Sequence, residues 1–201
     1  MSGRFSMRRL PVSFNSPVVR SFTALCLVSQ ILRLVLTPEA YYSVFSAYRS
    51  RFGFLFVLRL FTHVFGHASW EHLLGNMMYF LILGPMLEEK YGSGRLVLII
   101  AIAALITGLA DVMLFSDRRV LGASGVVFAF ILLSSITMRD SGKIPMTFLL
   151  VAALFLGQQL LQIFKDDNVS QLSHIIGGVV GSITGFVLSG RKTAADAGRR
   201  F

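Results

Sequence analysis

Charged side chains are scarce in this 201-residue chain. Asp, Glu, Lys and Arg together make up 14% of the residues, whereas 54% are hydrophobic, and the mean hydropathy is +0.70. A soluble domain of this size cannot bury so much apolar surface. The excess must therefore face lipid or a partner, and the composition favours lipid.

Cysteine and acidic residues are also rare. The single cysteine, Cys26, excludes an internal disulfide framework and any multi-cysteine metal site, and it is typical of a small buried apolar residue. Ten acidic residues stand against 19 Lys and Arg, which gives a net charge of +9. The cations lie between apolar runs and form no single stripe with interleaved aromatics, so we expect no nucleic-acid partner.

The basic N-terminus followed by an apolar run resembles a signal peptide at first sight. Arg4, Arg8, Arg9 and Arg20 precede the apolar run 22–36. However, no small-x-small cleavage site follows, since the next residues are Thr37, Pro38 and Glu39. We interpret this run as a first membrane helix, although Gln30 and Arg33 interrupt it.

Five further apolar segments follow at 72–89, 94–115, 123–138, 144–163 and 171–189. Each approaches the ~20 residues needed to cross a hydrocarbon core. The segments must be helices, because a membrane-spanning segment has to satisfy its own backbone hydrogen bonds. The segment 52–65 is apolar but contains Arg59 and His63, so it is interpreted as an interfacial or re-entrant part of a long first loop. The sequence predicts an all-α, six-helix polytopic membrane protein.

The distribution of basic residues predicts the orientation. With the N-terminus inside, the inner side carries Arg4, Arg8, Arg9, Arg20, Lys90, Arg95, Arg139, Lys143, Arg191, Lys192, Arg199 and Arg200. The outer side carries half as many: Arg49, Arg51, Arg59, Arg118, Arg119 and Lys165. We therefore expect a cytoplasmic basic N-terminus (1–21), a membrane domain (22–190) and a short basic cytoplasmic tail (191–201).

Strongly polar residues within membrane helices are costly and are candidates for function. They occur in the second, fourth and sixth segments, as His72 and Asn76, Ser124, and His174. Counted from the basic residue at each inner end, at ~1.5 Å per residue, they lie about 27, 21, 22 and 25 Å deep. All four are predicted within about one helical turn of one plane, in the outer half of the membrane.

Small residues predict which of these helices touch. Gly177, Gly181 and Gly185 recur at four-residue intervals in the sixth segment, and Gly125 and Ala129 do so in the fourth. Such faces allow close backbone approach, which would bring the His174 imidazole beside the Ser124 hydroxyl.

A base beside a serine hydroxyl can activate it as a nucleophile. The Asn76 amide, a ring N–H of His72 and the Ser124 backbone N–H could then stabilise the oxyanion. No carboxylate lies at the right depth to complete a triad, so the sequence predicts a Ser–His dyad and no cofactor.

These residues resemble the rhomboid intramembrane serine proteases. The resemblance rests on FTHVFGHASWEHLLGN (61–76), GASG (122–125) and SHIIGGVVG (173–181), in matching order over roughly residues 22–190. It implies Ser124 as nucleophile and His174 as general base. It also implies His72 and Asn76 as oxyanion donors. A bacterial plasma membrane is the expected location, with an organellar membrane as the alternative.

The resemblance further implies supporting roles. Arg59 matches the arginine of a Trp-Arg pair that orders the first loop, although Leu58 replaces the tryptophan. The set Gly84, Glu88 and Gly92 matches a structural motif, and Ala129 stands where glycine is common; Gly122, Gly125, Gly177 and Gly181 are expected to support the site. Transmembrane protein substrates would enter past Thr147–Ile163 and the following loop 164–168. Near that helix end, Gln158, Gln159 and Gln162 would contact water or substrate, or bond neighbouring helices.

Three alternatives remain. His63, His67 and Glu71 recur at four-residue spacing, which suits a metal site, although no H-E-x-x-H motif is present and we expect no metal. A catalytically silent rhomboid-like protein would bind membrane clients, but such relatives typically lose the serine or histidine. A small transporter would need more intramembrane charges than Arg33 and Asp111.

Overall fold

The computed structural model describes residues 16–115, 118–137, 146–163, 174–184 and 187, and over these ranges the protein is all-helical. An isolated antiparallel bridge joins Ala47 to Val120. The helices are α1 (Pro17–Val35), α2 (Pro38–Phe45), α3 (Phe54–Thr62), α4 (Trp70–Tyr91), α5 (Ser93–Leu114), α6 (Ser124–Thr137), α7 (Met146–Ile163) and α8 (His174–Thr184), with a 3₁₀ turn at His63–Phe65. The all-α prediction is therefore confirmed.

The six predicted apolar segments correspond to α1, α4, α5, α6, α7 and α8. Of the sixth segment, the structure describes residues 174–184 and 187. Most ends agree within two residues, but α1 begins at Pro17, five residues before its apolar run. Proline suits the first turn of a helix because its missing N–H has no partner there. Helix α1 continues without a break through Gln30, which is fully buried.

Two of the described helices, α1 and α5, are long and apolar enough to cross a membrane, with mean hydropathies of 1.6 and 2.6. Helix α4 has the same length as α5, 22 residues, but His72 and Asn76 lie within it and lower its hydropathy. Because of these polar residues, α4 is not among the helices that length and hydropathy identify as able to cross a membrane.

Helix α4 lies at the centre and packs against α1, α5 and α6. The Phe80 ring stacks on Phe22 of α1 at 4.4 Å and on Phe130 of α6 at 5.1 Å, measured between ring centroids. All three rings are buried. This aromatic stack fixes α4 between its neighbours, and α4 carries two of the candidate site residues.

The C-terminal end of α4 holds the start of α1. The buried Glu88 carboxylate accepts the backbone N–H groups of Val18 at 3.0 Å and Val19 at 3.1 Å, and the Ser93 hydroxyl at 2.7 Å. These are N–H groups that a helix N-terminus leaves without intrahelical partners. One turn away, Val19 packs on Gly84, where a Cβ would lie 2.7 Å from a valine methyl group.

The first loop is folded and contains α2, α3 and the 3₁₀ turn. The Tyr41 hydroxyl bonds Ser29 of α1 at 3.1 Å and accepts the backbone N–H of His67 at 3.1 Å. Helix α3 buries Arg59 and Leu60 but exposes Phe54 and Leu55. With nine residues it is too short to span a bilayer, and its position as an interfacial or re-entrant segment stays a prediction.

Helices α6 and α8 approach at backbone distance. A Cβ on Gly177 would collide with the carbonyl group of Gly125, and one on Gly181 would collide with that of Ala129. The two glycines are thus required by the close crossing rather than by their backbone angles. The remaining glycine of the series, Gly185, lies outside the described residues.

Candidate active site

The four predicted site residues line one cavity of about 510 Å³. His72 and Asn76 come from α4, Ser124 from the start of α6 and His174 from the first described turn of α8. The walls are completed by Glu71, Gly75, Tyr79, Val127, Phe128, Ile131, Val151 and Leu154. Its size is within the range of small-molecule and peptide pockets.

Ser124 is the first residue of α6 and follows a tight turn. Gly122 has φ +133°, a backbone angle that side-chain-bearing residues rarely adopt. A Cβ there would also lie 2.9 Å from Nε2 of His72 and 3.9 Å from Nδ2 of Asn76. Glycine is therefore required here both by the backbone angle and by the lack of space for a side chain, and Ser124, two residues later, lines the same cavity as His72 and Asn76.

His72 and Asn76 lie one turn apart near the N-terminal end of α4. The Ser69 side chain caps this helix by accepting the His72 backbone N–H at 3.2 Å. The Asn76 amide donates to the His72 carbonyl oxygen at 3.1 Å. One amide hydrogen is thereby held within the helix, and the amide still has a second N–H to offer the cavity.

His174 begins the described part of α8 and is buried. Its ring lies 4.5 Å from the Phe128 ring, measured between centroids, at an interplanar angle of 44°. Since Gly177 and Gly181 hold α8 against α6, the same crossing brings this imidazole to the cavity that contains Ser124.

His67 contributes to the site in a way that the sequence did not indicate. Its Nε2 accepts the backbone N–H of Ala123 at 3.5 Å, and its Nδ1 lies 3.2 Å from the Phe65 carbonyl oxygen. Both contacts fit one neutral tautomer, protonated at Nδ1. The ring also packs edge-on against His72 at 5.1 Å. His67 thus lies behind the turn that carries Ser124.

The proposed metal ligands do not converge. Nδ1 of His63 lies 3.1 Å from the Arg59 carbonyl oxygen, and the His63 ring packs against Gly108 of α5. His67 faces Ala123, and Glu71 is exposed at the cavity rim. Among the residues that the structure describes, no three His, Cys, Asp or Glu side chains are grouped to hold a metal ion. The spacing that indicated a single helical face fails because the helix ends at Thr62.

The other predicted supporting residues are partly visible. Arg59 is buried in the first loop, and Glu88 and Gly84 form the contact with α1. Val151 and Leu154 of α7 form one wall of the cavity. The side chains of Gln158, Gln159 and Gln162, the loop 164–168, residues 1–15 and the tail 191–201 lie outside what the structure describes.

Comparison with known proteins shows which family the chain belongs to. The family described as "Rhomboid domain" matches residues 56–191. The chain is 27% identical over 187 residues to a rhomboid protease GlpG of Yersinia enterocolitica, and 26% identical to those of Yersinia pestis and Yersinia pseudotuberculosis. Each match covers 91% of this chain and 66% of the relative, so the chain spans slightly less than two thirds of these relatives' length. The chain belongs to the rhomboid family, whose members are integral membrane proteins.

Proposed function

We propose that the protein is an intramembrane serine endopeptidase that cleaves transmembrane segments of other membrane proteins with a Ser124–His174 dyad. The observation that carries this proposal is that Ser124, His174, His72 and Asn76, which lie on three helices, line the same cavity. The family relationship and the protease names of the relatives support it.

In the proposed first step, the His174 imidazole removes the Ser124 hydroxyl proton as Oγ attacks the scissile carbonyl carbon. The tetrahedral oxyanion accepts hydrogen bonds from the Asn76 amide, a His72 ring N–H and the Ser124 backbone N–H. Protonated His174 then gives its proton to the leaving amine, and the acyl-enzyme forms. Water, deprotonated by His174, attacks this ester and releases the acid product and the free Ser124 hydroxyl.

A dyad must orient its base without a buried carboxylate. The carboxylate among the described cavity residues is Glu71, which is exposed at the rim. Packing of the His174 ring on Phe128 can restrict its rotation instead. His67 keeps the turn before Ser124 in register through Ala123.

The membrane arrangement follows from the same proposal. Six spans with both termini in the cytoplasm, in a bacterial plasma membrane, place the cavity near the outer face. Among the described helices, α7 packs mainly against α6 and makes no comparable contact with α1 to α5. It therefore forms the wall past which a substrate helix would enter.

The test uses purified protein in detergent and a single-span test substrate, with and without EDTA. Ser124→Ala and His174→Ala should each abolish cleavage, and EDTA should not affect it. Ser134→Ala is the matched control, because this serine lies in the same helix and bonds the Ile131 carbonyl oxygen within it. Cleavage that survives Ser124→Ala, or that EDTA stops, would contradict the dyad. Binding of several substrates without cleavage would support the silent, client-binding alternative.

The oxyanion donors can be tested separately. We expect Asn76→Ala to lower kcat by roughly 100- to 1,000-fold, because one donor to the transition state is lost. KM should change little, since the amide is not required to bind the ground state. Steady-state kinetics with the same substrate measure both constants. A raised KM with unchanged kcat would assign Asn76 to substrate binding instead.

A further inference from the structure

Among the residues that the structure describes, no carboxylate is bonded to a buried arginine of the first loop. Arg59 is 5% exposed. Its guanidinium donates to the Tyr48 hydroxyl at 2.6 Å and to the Ser50 hydroxyl, and Nε has no partner. Over the described ranges these neutral groups are its side-chain partners. A buried charge that is solvated by hydroxyls alone leaves room for a counter-ion.

A second arginine reaches the same tyrosine from another loop. The guanidinium carbon of Arg59 lies 4.1 Å from the Tyr48 ring centroid, and that of Arg119 lies 5.3 Å from it. The bridge between Ala47 and Val120, with backbone bonds of 2.8 and 2.9 Å, holds the two loops together. The positive charges of Arg59 and Arg119, which are 60 positions apart in the sequence, therefore lie at one aromatic ring.

One of the two hydroxyls can still donate. Tyr48 accepts from Arg59 and retains its own O–H for an acceptor at the surface. The Ser50 hydroxyl also accepts from Arg59 but donates to the Arg51 carbonyl oxygen at 3.4 Å. Arg119 and Ser50 are exposed, as are Arg49 and Arg51. The cluster thus combines guanidinium and hydroxyl donors at the surface, a set that suits the oxygens of a phosphate group.

An apolar surface follows directly after these arginines. Phe52 is 85% exposed and Phe54 80% exposed, and Leu55 and Val57 of α3 are exposed beside them. Aromatic and aliphatic side chains next to a row of arginines match the boundary between headgroups and acyl chains in a bilayer. A free phosphate ion would need no such surface.

We propose that Arg119 and the Tyr48 hydroxyl, with the buried charge of Arg59 behind them and Ser50 holding Arg59 in place, form a binding site for the phosphate of an anionic phospholipid, whose acyl chains lie along Phe52 and Phe54. The site anchors the first loop to lipid on the side of the membrane where the loop lies. It is separate from the cavity that contains Ser124, so it does not depend on the proposed peptidase activity.

The test measures the dissociation constant of phosphatidylglycerol for the full-length protein in detergent by native mass spectrometry. Arg119→Gln should weaken binding roughly fivefold, the effect of one arginine at a lipid surface. Arg95→Gln is the matched control, because it removes an equal exposed charge near the start of α5 and should leave the constant unchanged. Arg59→Gln, used if its thermal unfolding matches the parent, should weaken binding at least as much.

Two outcomes would overturn the proposal. Equal weakening by Arg95→Gln and Arg119→Gln would mean that the lipid responds to net charge and not to a site. Displacement of the lipid by millimolar inorganic phosphate would mean that the site binds free phosphate. Loss confined to Arg119→Gln and Arg59→Gln, and insensitive to phosphate, would establish the lipid site whether or not the protein cleaves a substrate.

Discussion

The four histidines of the chain occupy distinct environments. His72 and His174 line the cavity, His67 lies behind the Ser124 turn, and His63 packs on Gly108. Burial lowers the pKa of His63 and of His67 to about 4, and the neighbouring His72 contributes to the shift at His67. These two rings therefore stay neutral where an ordinary imidazole, with a pKa of 6.5, begins to titrate.

The lowered pKa of His67 predicts a loss of stability in acid. Between about pH 6.5 and pH 4 the unfolded chain binds more protons at His63 and His67 than the folded protein does. The free energy of unfolding is therefore undiminished by them above pH 6.5 and falls as the pH drops towards 4. His67→Gln keeps an acceptor for Ala123 but does not titrate, so it should flatten this decline, with His63 supplying the remainder.

Thermal unfolding at pH 7.5 and 4.5 measures the effect. We expect the difference in Tm between the two pH values to be at least about 3 °C smaller in His67→Gln than in the parent, corresponding to about 1 kcal/mol. Parallel curves for the two proteins would show that His67 does not titrate in this range.

Helices could be predicted from the apolar runs, because length and hydropathy suffice to detect a buried segment. The start of α1 could not, since it depends on Glu88, about 70 residues away. Depth and small-residue spacing predicted that Ser124 and His174 lie near each other, and both residues line one cavity; their pairing as a dyad stays a prediction. The role of His67 was not predictable, because it depends on a turn that brings Ala123 next to the first loop.

The α6–α8 crossing predicts a steep cost for side chains at its glycines. Gly181→Val should lower stability by about 1–3 kcal/mol, because its Cβ meets the Ala129 carbonyl group and α8 must move away. Thermal unfolding in detergent measures the change. Gly157→Ala in α7 is the control, because nothing lies within 4 Å of its Cβ position. Equal Tm values for Gly181→Val and the parent would contradict the close packing.

The contact between α4 and α1 predicts a second cost. Glu88→Ala removes the acceptor of two α1 backbone N–H groups and of the Ser93 hydroxyl, and should lower stability by about 2 kcal/mol or more. Glu89→Ala is a suitable control, because the neighbouring Glu89 is exposed. The two Tm values are compared with the parent. A larger loss in Glu89→Ala would show that charge at this helix end matters more than capping.

At the scale of the whole molecule, basic residues lie at both ends of the helix bundle. Arg49, Arg51, Arg118 and Arg119 lie in the loops near the cavity end, whereas Arg20, Lys90 and Arg95 lie at the opposite end. The proposed orientation places the second group in the cytoplasm. Charge counting can establish such a preference, but it cannot establish how many helices cross the bilayer.

Single-cysteine labelling tests that orientation. In a Cys26→Ser background, Arg118→Cys should react with a membrane-impermeant maleimide in intact spheroplasts, whereas Glu89→Cys should react only after the membrane is permeabilised. Both positions are exposed, so a difference in labelling reflects the side of the membrane. The reverse pattern would invert the topology, and equal labelling would indicate that the residues share one side.

The distance between the proposed dyad residues depends on two positions that carry no side chain. Because Gly177 and Gly181 have no side chains, the backbones of α6 and α8 are in contact. Ser124 and His174 lie at the same end of that crossing. A methyl group added at either position would push the two helices apart at that point, and the two positions are one helical turn apart. A graded series of such substitutions would therefore shift or tilt His174 relative to Ser124 in small steps. The helix crossing thus offers a way to vary the geometry of the proposed base and nucleophile without changing either residue.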